Sequence, residues 1–155
     1  EVEELLWGIA RERLQTVLIP VRGSVPKDLD APDDFAREPL GQLIMAQNHL
    51  PQVDHATLYA LRISNNALIG DGISQDDYLI VEEGRFLNGG IHIVEHRGHL
   101  MACHVYRDQE RIFLTPGNPM ITEVRPDEVK VVGLVLLSGR WRSQIGPDSQ
   151  GRLAG

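Results

Sequence analysis

The chain carries one cysteine, Cys103, in 155 residues. No intramolecular disulfide can staple it, and so sparse a thiol count agrees with a reducing compartment. Long apolar runs are missing too. The longest, Val131 to Leu137, falls far short of the roughly 20 residues that a spanning helix needs, and no basic-then-apolar signal stretch opens the chain. Cationic surplus is also absent: 15 Lys and Arg against 22 Asp and Glu leave a formal charge of −7. Phosphate binding draws on clustered Lys and Arg, so this chain by itself makes a poor nucleic-acid surface, and any DNA contact is expected to come from elsewhere. There is no internal repeat. These absences leave a soluble cytoplasmic protein as the default. Because Glu1 stands first with no initiator Met, the chain is expected to be a fragment whose N-terminal part has been cut away. What remains is a hydrophobic content of 42%, enough for one ordinary domain with a substantial core.

From Glu1 to Thr16 the pattern reads as a helix, since Leu5, Leu6, Ile9, Leu14 and Val17 recur at near-helical spacing with Glu toward the start. Residues 1–18 are therefore expected to form a helix or linker from the missing region. Val17 to Val25 reads as a short extended segment interrupted by Pro20 and Pro26, and Lys27 to Pro39, rich in Asp and Pro, as a mobile loop. From Leu40 the pattern becomes β. Leu43 to Met45 suits a short strand, Leu58 to Ile63 alternates as a half-buried strand, and Tyr78 to Val81 is an apolar run. Ile91 to His96 and His99 to Tyr106 flank Arg97-Gly98, a two-residue hairpin turn. Arg111 to Leu114 and Val129 to Leu137 complete the set. Short strands at close intervals, punctuated by Gly, Pro and Asp, predict an all-β sandwich or partly open barrel over residues 19–142. The Gly- and Ser-rich end, Ser143 to Gly155, is expected to be a disordered tail.

Several segments resemble those of one family. Leu61 to Ile73 reads Leu-Arg-Ile-Ser-Asn-Asn-Ala-Leu-Ile-Gly-Asp-Gly-Ile, and is similar to the nucleophile loop of LexA-like repressor C-terminal domains, roughly Arg-Val-x-Gly-Asn/Asp-Ser-Met-x-x-x-Gly-Ile. Asp76 to Val81, Asn88 to Ile91, Leu114 to Pro119 and Val131 to Val135 resemble, in order, the strand, hairpin opening, turn and closing strand of that family. The resemblance runs from about Ile19 to Trp141. It implies a mainly all-β, LexA- and signal-peptidase-like fold, a partly open barrel or sandwich with an N-terminal helix, and a serine that cleaves the protein's own chain.

Laid on that pattern, the serine position is Ala67, which has no hydroxyl. The general base of this chemistry is a lysine that must be neutral in an apolar site. It lies in the strand after the hairpin, and its position here is Cys103. The cleavable Ala-Gly or Cys-Gly pair falls on Lys27-Asp28, beside Pro26, and no such dipeptide precedes Ala67. One substitution cannot account for all three, so the resemblance implies an inactive member of a self-cleaving family, a pseudopeptidase.

The cysteine admits other readings, because a thiolate is a good nucleophile near neutral pH. If the hairpin pairs His96 with His99, His92 lies opposite Cys103, close enough to lower its pKa and form a thiol pair, redox-active or hydrolytic. The competing reading is a small residue filling space that a lysine has left. His92, His96, His99 and His104 with Cys103 also invite a zinc site, but alternation turns His104 to the other face, and no metal or other cofactor is expected. Asp30, Asp33 and Asp34 read as a solvated acidic loop, and Trp7 and Trp141 as packing residues. The leading expectation is the dimerisation and regulatory domain of a LexA-like transcription regulator that has lost self-cleavage. It would be a homodimer, with Val131 to Leu137 at or beside the interface, touching DNA only through the missing region and answering a partner protein or another cue. Two alternatives remain: an enzyme using Cys103 with His92, or an interaction module whose old substrate groove binds a peptide as an added strand.

Overall fold

A computed structural model describes residues 16–28, 40–50, 55–117 and 120–140. Residues 1–15 of the expected N-terminal helix or linker, the acidic residues Asp30, Asp33 and Asp34, both tryptophans and the expected tail lie outside that range. The described residues form ten strands: β1 (Thr16–Val25), β2 (Lys27–Asp28), β3 (Gly41–Ala46), β4 (Leu58–Ile63), β5 (Tyr78–Glu83), β6 (Ile91–His96), β7 (His99–Asp108), β8 (Arg111–Gly117), β9 (Met120–Val124) and β10 (Val129–Gly139). All pairings are antiparallel except that of β1 with β4.

The strands run in the order β3-β1-β4-β5-β10-β6-β7-β8-β9, with β2 paired to β7. That last pairing closes a ring. β1 lies on β4 up to Val25, and β2, separated from it by Pro26 alone, lies on β7 through Lys27↔Leu100 and Asp28↔His99. The circuit β1/β2-β4-β5-β10-β6-β7 is thus a small barrel, with β3 attached at one side and β8-β9 extending from the other. Ring closure explains why same-face residues of distant strands share one core: Tyr59, Leu61 and Ile63 of β4 pack with Leu79, Val81, Ile93, Leu100 and Ala102. A second cluster, including Ile19, Leu43, Leu58, Ala60 and Ile80, lies on the outer face of β4-β5 under β1-β3. A third lies outside the hairpin under the β8-β9 arm: Val94, Cys103, Val105, Ile112, Leu114 and Val124.

Four expectations are corrected here. The first strand is ten residues long, takes in Thr16 to Leu18 from the expected helix or linker because they pair with β3, and runs through Pro20. Its β4 pairing begins only at Val21, so the missing N–H leaves no gap in that ladder. Lys27 and Asp28 belong to a strand rather than a loop. β4 is buried on both faces, every residue but Arg62, because clusters form on each side of it. Finally, Met120 to Val124 forms a strand that its sequence did not announce.

The hairpin follows the expectation. His96 pairs with His99 around Arg97 and Gly98 at φ of 53° and 82°, the doubly positive pair that matches strand twist in a two-residue turn. Gly133 in β10 is required for another reason. A Cβ there would stand 2.6 Å from the Glu82 carbonyl oxygen and 2.7 Å from Val81 Cγ1, so only glycine lets β10 lie this close to β5.

Candidate functional site

The segment from Ser64 to Asp77 leaves β4 and returns to β5 over one end of the barrel. Its sequence holds it by short side chains that bond to backbone. The Ser64 N–H and hydroxyl both donate to the Val25 carbonyl, at 2.7 and 3.0 Å. Asn65 Oδ1 accepts the Ala67 N–H at 3.0 Å and Asn66 Oδ1 the Gln75 N–H at 3.1 Å, the local bonding for which Asn favours turns. Leu68 and Ile73 drop into the barrel core. At the return, buried Asp77 accepts from the Ser74 N–H at 2.9 Å and from Arg140 Nε at 3.0 Å. None of these anchors uses the side chain at position 67. Ala67 is exposed, and the loop keeps its shape without a hydroxyl there.

Cys103 lies in the middle of β7, opposite His92 as the hairpin register demands. Both are fully buried. Burial pushes the thiol up to about 12, against a backbone hydrogen bond with Thr115 that acts the other way. His92 accepts the Leu87 N–H at Nε2, 3.1 Å, and donates from Nδ1 to the Gly90 carbonyl, 2.8 Å. Those partners fix the neutral tautomer and occupy both ring nitrogens. Burial, the largest cause, lowers its pKa further from the charged form, while the Gly90 bond opposes this and His104 and Arg107 reinforce it. The ring stacks on Phe86 at 4.8 Å between centroids. The two residues are neighbours, but no imidazole nitrogen is left to take the thiol proton.

Ala67 and Cys103 are not brought together across one cleft. The side chain of Cys103 packs in the cluster outside the hairpin, whereas the loop anchors Leu68 and Ile73 pack inside the barrel with Leu100 and Ala102. Lys27 and Asp28 lie two and three residues beyond Val25, the residue that receives the root of the loop, and run along β7 at its hairpin end. The structure thus gathers the loop root, the Lys27-Asp28 strand and β7 at the barrel wall. Among the described residues, no three His, Cys, Asp or Glu side chains converge as a metal-ligand group, and no helix is long and apolar enough to cross a membrane.

The side chain that does join β7 to the loop is His104. It shares the barrel-side face with Ala102. Its Nε2 lies 2.8 Å from Asp71 Oδ1 in the loop, and its Nδ1 lies 2.8 Å from the Gly89 carbonyl. Alternation alone gives the face on which His104 stands; its partner, 33 positions away, has no local signal.

Comparison with known proteins agrees with this arrangement. Residues 31–136 match the family model described as Peptidase S24-like. LexA repressors of Leptospira interrogans serovars copenhageni and Lai are each 25% identical over 126 residues, a span covering 79% of this chain and 59% of the relatives. The chain therefore spans a little over half the length of these repressors. The matched span begins ahead of β3, takes in the loop and the hairpin and ends within β10, and the chain belongs to the Peptidase S24-like family.

Proposed function

We propose that this domain is the dimerisation and regulatory part of a LexA-type transcriptional regulator that no longer cleaves itself. The observation that carries this reading is the loop at Ala67: its backbone anchors are complete, and the position given to the nucleophile has no hydroxyl. The position given to the base supports it, since Cys103 is sealed in an apolar cluster with its thiol pushed up to about 12. So does the position of the cleavable pair, which holds Lys27-Asp28. An enzyme using Cys103 with His92 is disfavoured by the same burial and by the engaged imidazole.

Dimerisation has a structural opening in β10. β10 pairs with β6 only over Val129 to Leu134 and with β5 from Gly133 to Gly139. From Val135 onward, the backbone edge turned away from β5 has no partner strand among the described residues. An unpaired edge is a template for a second chain, and it overlaps the Val131 to Leu137 stretch. Two copies joined there present two DNA-binding heads to a two-fold symmetric site. In this reading, the chain ahead of β1 leads in from that head, the protein is cytoplasmic, and a partner protein or another cue replaces self-destruction as the signal. The test uses the full-length protein. Its affinity for a symmetric operator should fall steeply when a charge placed at Ser138, on the unpaired stretch of β10 and outside the core clusters, abolishes dimerisation; full affinity from a verified monomer would overturn the proposal.

A further inference from the structure

An imidazole has two ring nitrogens, and in the neutral form only one carries a proton. His104 faces an oxygen acceptor with each: the Gly89 carbonyl at Nδ1 and the Asp71 carboxylate at Nε2, both at 2.8 Å. Only the imidazolium donates to both. Neutral His104 can keep one and must set its other lone pair against an oxygen.

We propose that His104 is a pH-operated latch on the loop that carries Ala67, holding Asp71 against β7 when protonated and releasing it when neutral. The inference goes beyond the regulatory reading and does not depend on it. What moves is bounded by the anchors on either side. Leu68 and Ile73 are held in the core, so release concerns residues 69–72, a single 3-10 turn from Ile69 to Asp71 closed by Gly72. Ile69 is 58% exposed, and freeing this turn changes how that apolar side chain is presented beside Ala67.

The surroundings of His104 favour the charged form on balance. Partial burial, the largest influence, works against it. The Gly89 bond, the Asp71 bond and the Asp71 charge outweigh that influence, and the pKa is raised. Of the other groups near it, Tyr106 on β7 stacks at 6.4 Å, Thr115 on β8 accepts the His104 backbone N–H at 3.2 Å, and buried His92 on β6 is kept further from its own charged form by a charge on His104. Asp71 is the sole carboxylate bonded to it among the described residues. Because the folded pKa lies above the ordinary value of 6.5, the latch is fully engaged below that value and is lost as pH rises through the folded pKa.

The loop supplies its own reporters. The Asp71 N–H is bonded to the Leu68 carbonyl and the Gly72 N–H to the Ile69 carbonyl, at 2.9 and 3.0 Å. Hydrogen exchange at these two amides, corrected for intrinsic rates, is measured from about pH 5.5 to about 8.5 alongside the NMR titration of the His104 ring. Protection should fall as His104 deprotonates, by about tenfold for each pH unit that its midpoint exceeds that of the released form. The Ile63 amide, bonded to the Asp77 carbonyl at 2.8 Å, serves as an internal control and should not follow. Asp71→Asn should lower the His104 midpoint and flatten the pH dependence, and His104→Gln should remove it. Protection that ignores pH in the wild type, or that keeps its pH dependence in Asp71→Asn, would overturn the latch. So would an Asp71→Asn effect equal at every pH, which marks a merely structural contact.

Discussion

Modification of Cys103 by a small electrophile gives a magnitude that separates a buried relic from a working thiol. At pH 8 an unperturbed thiol, pKa about 8.5, is about one quarter ionised, whereas one at about 12 is ionised in roughly one molecule in ten thousand. The thiolate is the reactive form, so ionisation alone slows labelling about two-thousandfold relative to free cysteine. Cys103 is also fully buried, so labelling must wait for local opening, which slows it further. The assay is labelling followed by intact mass against free cysteine under the same conditions, with denatured protein as the positive control. Native labelling should be at least a thousandfold slower than free cysteine, denatured labelling should approach it, and His92→Ala should not slow the native reaction. A native rate within tenfold of free cysteine, or a rate enhancement that disappears in His92→Ala, would refute the reasoning and restore the Cys103-His92 enzyme.

Gly133→Ala puts a methyl 2.6 Å from a carbonyl oxygen of β5, and should cost about 1–3 kcal/mol. Thermal denaturation should show a Tm lower by roughly 2–12 °C, at about 2–4 °C per kcal/mol, and an unchanged Tm would show that β10 does not press on β5. Asp77→Ala strands the Ser74 N–H and releases Arg140. Urea unfolding should register a loss of about 1–3 kcal/mol, with Asp77→Asn milder; equal stability of all three forms would remove Asp77 as an anchor of the loop. Sedimentation equilibrium should find a dimer, whereas a monomer at every accessible concentration contradicts the assignment of the β10 edge.

The sequence made the local features of this molecule legible. Arg97-Gly98 announced its hairpin, because a two-residue turn demands positive φ and the chain offers Gly between alternating runs. From that turn, counting alone placed His92 opposite Cys103 and put His104 on the other face. Non-local contacts left no such trace. Burial of both faces of β4 follows from its parallel partner β1, more than 30 residues away, and the strand at Lys27-Asp28 exists only because β7 lies beside it. The same limit applied at the site. The loop motif gave the position of Ala67, but not the cluster that encloses Cys103, nor the Leu87 and Gly90 partners that occupy His92, nor the bond from His104 to Asp71. Each of those depends on how the barrel closes.

The proposed loss of self-cleavage is read from the mass of the intact chain after alkaline incubation. High pH favours the neutral lysine on which cleavage by the family's chemistry depends. If, as proposed, Ala67 stands at the serine position and Cys103 at the lysine position, the purified domain should retain its full mass through a long incubation near pH 10. A pair of fragments summing to the intact mass plus one water, from a discrete cut between Arg22 and Ala31, would contradict it.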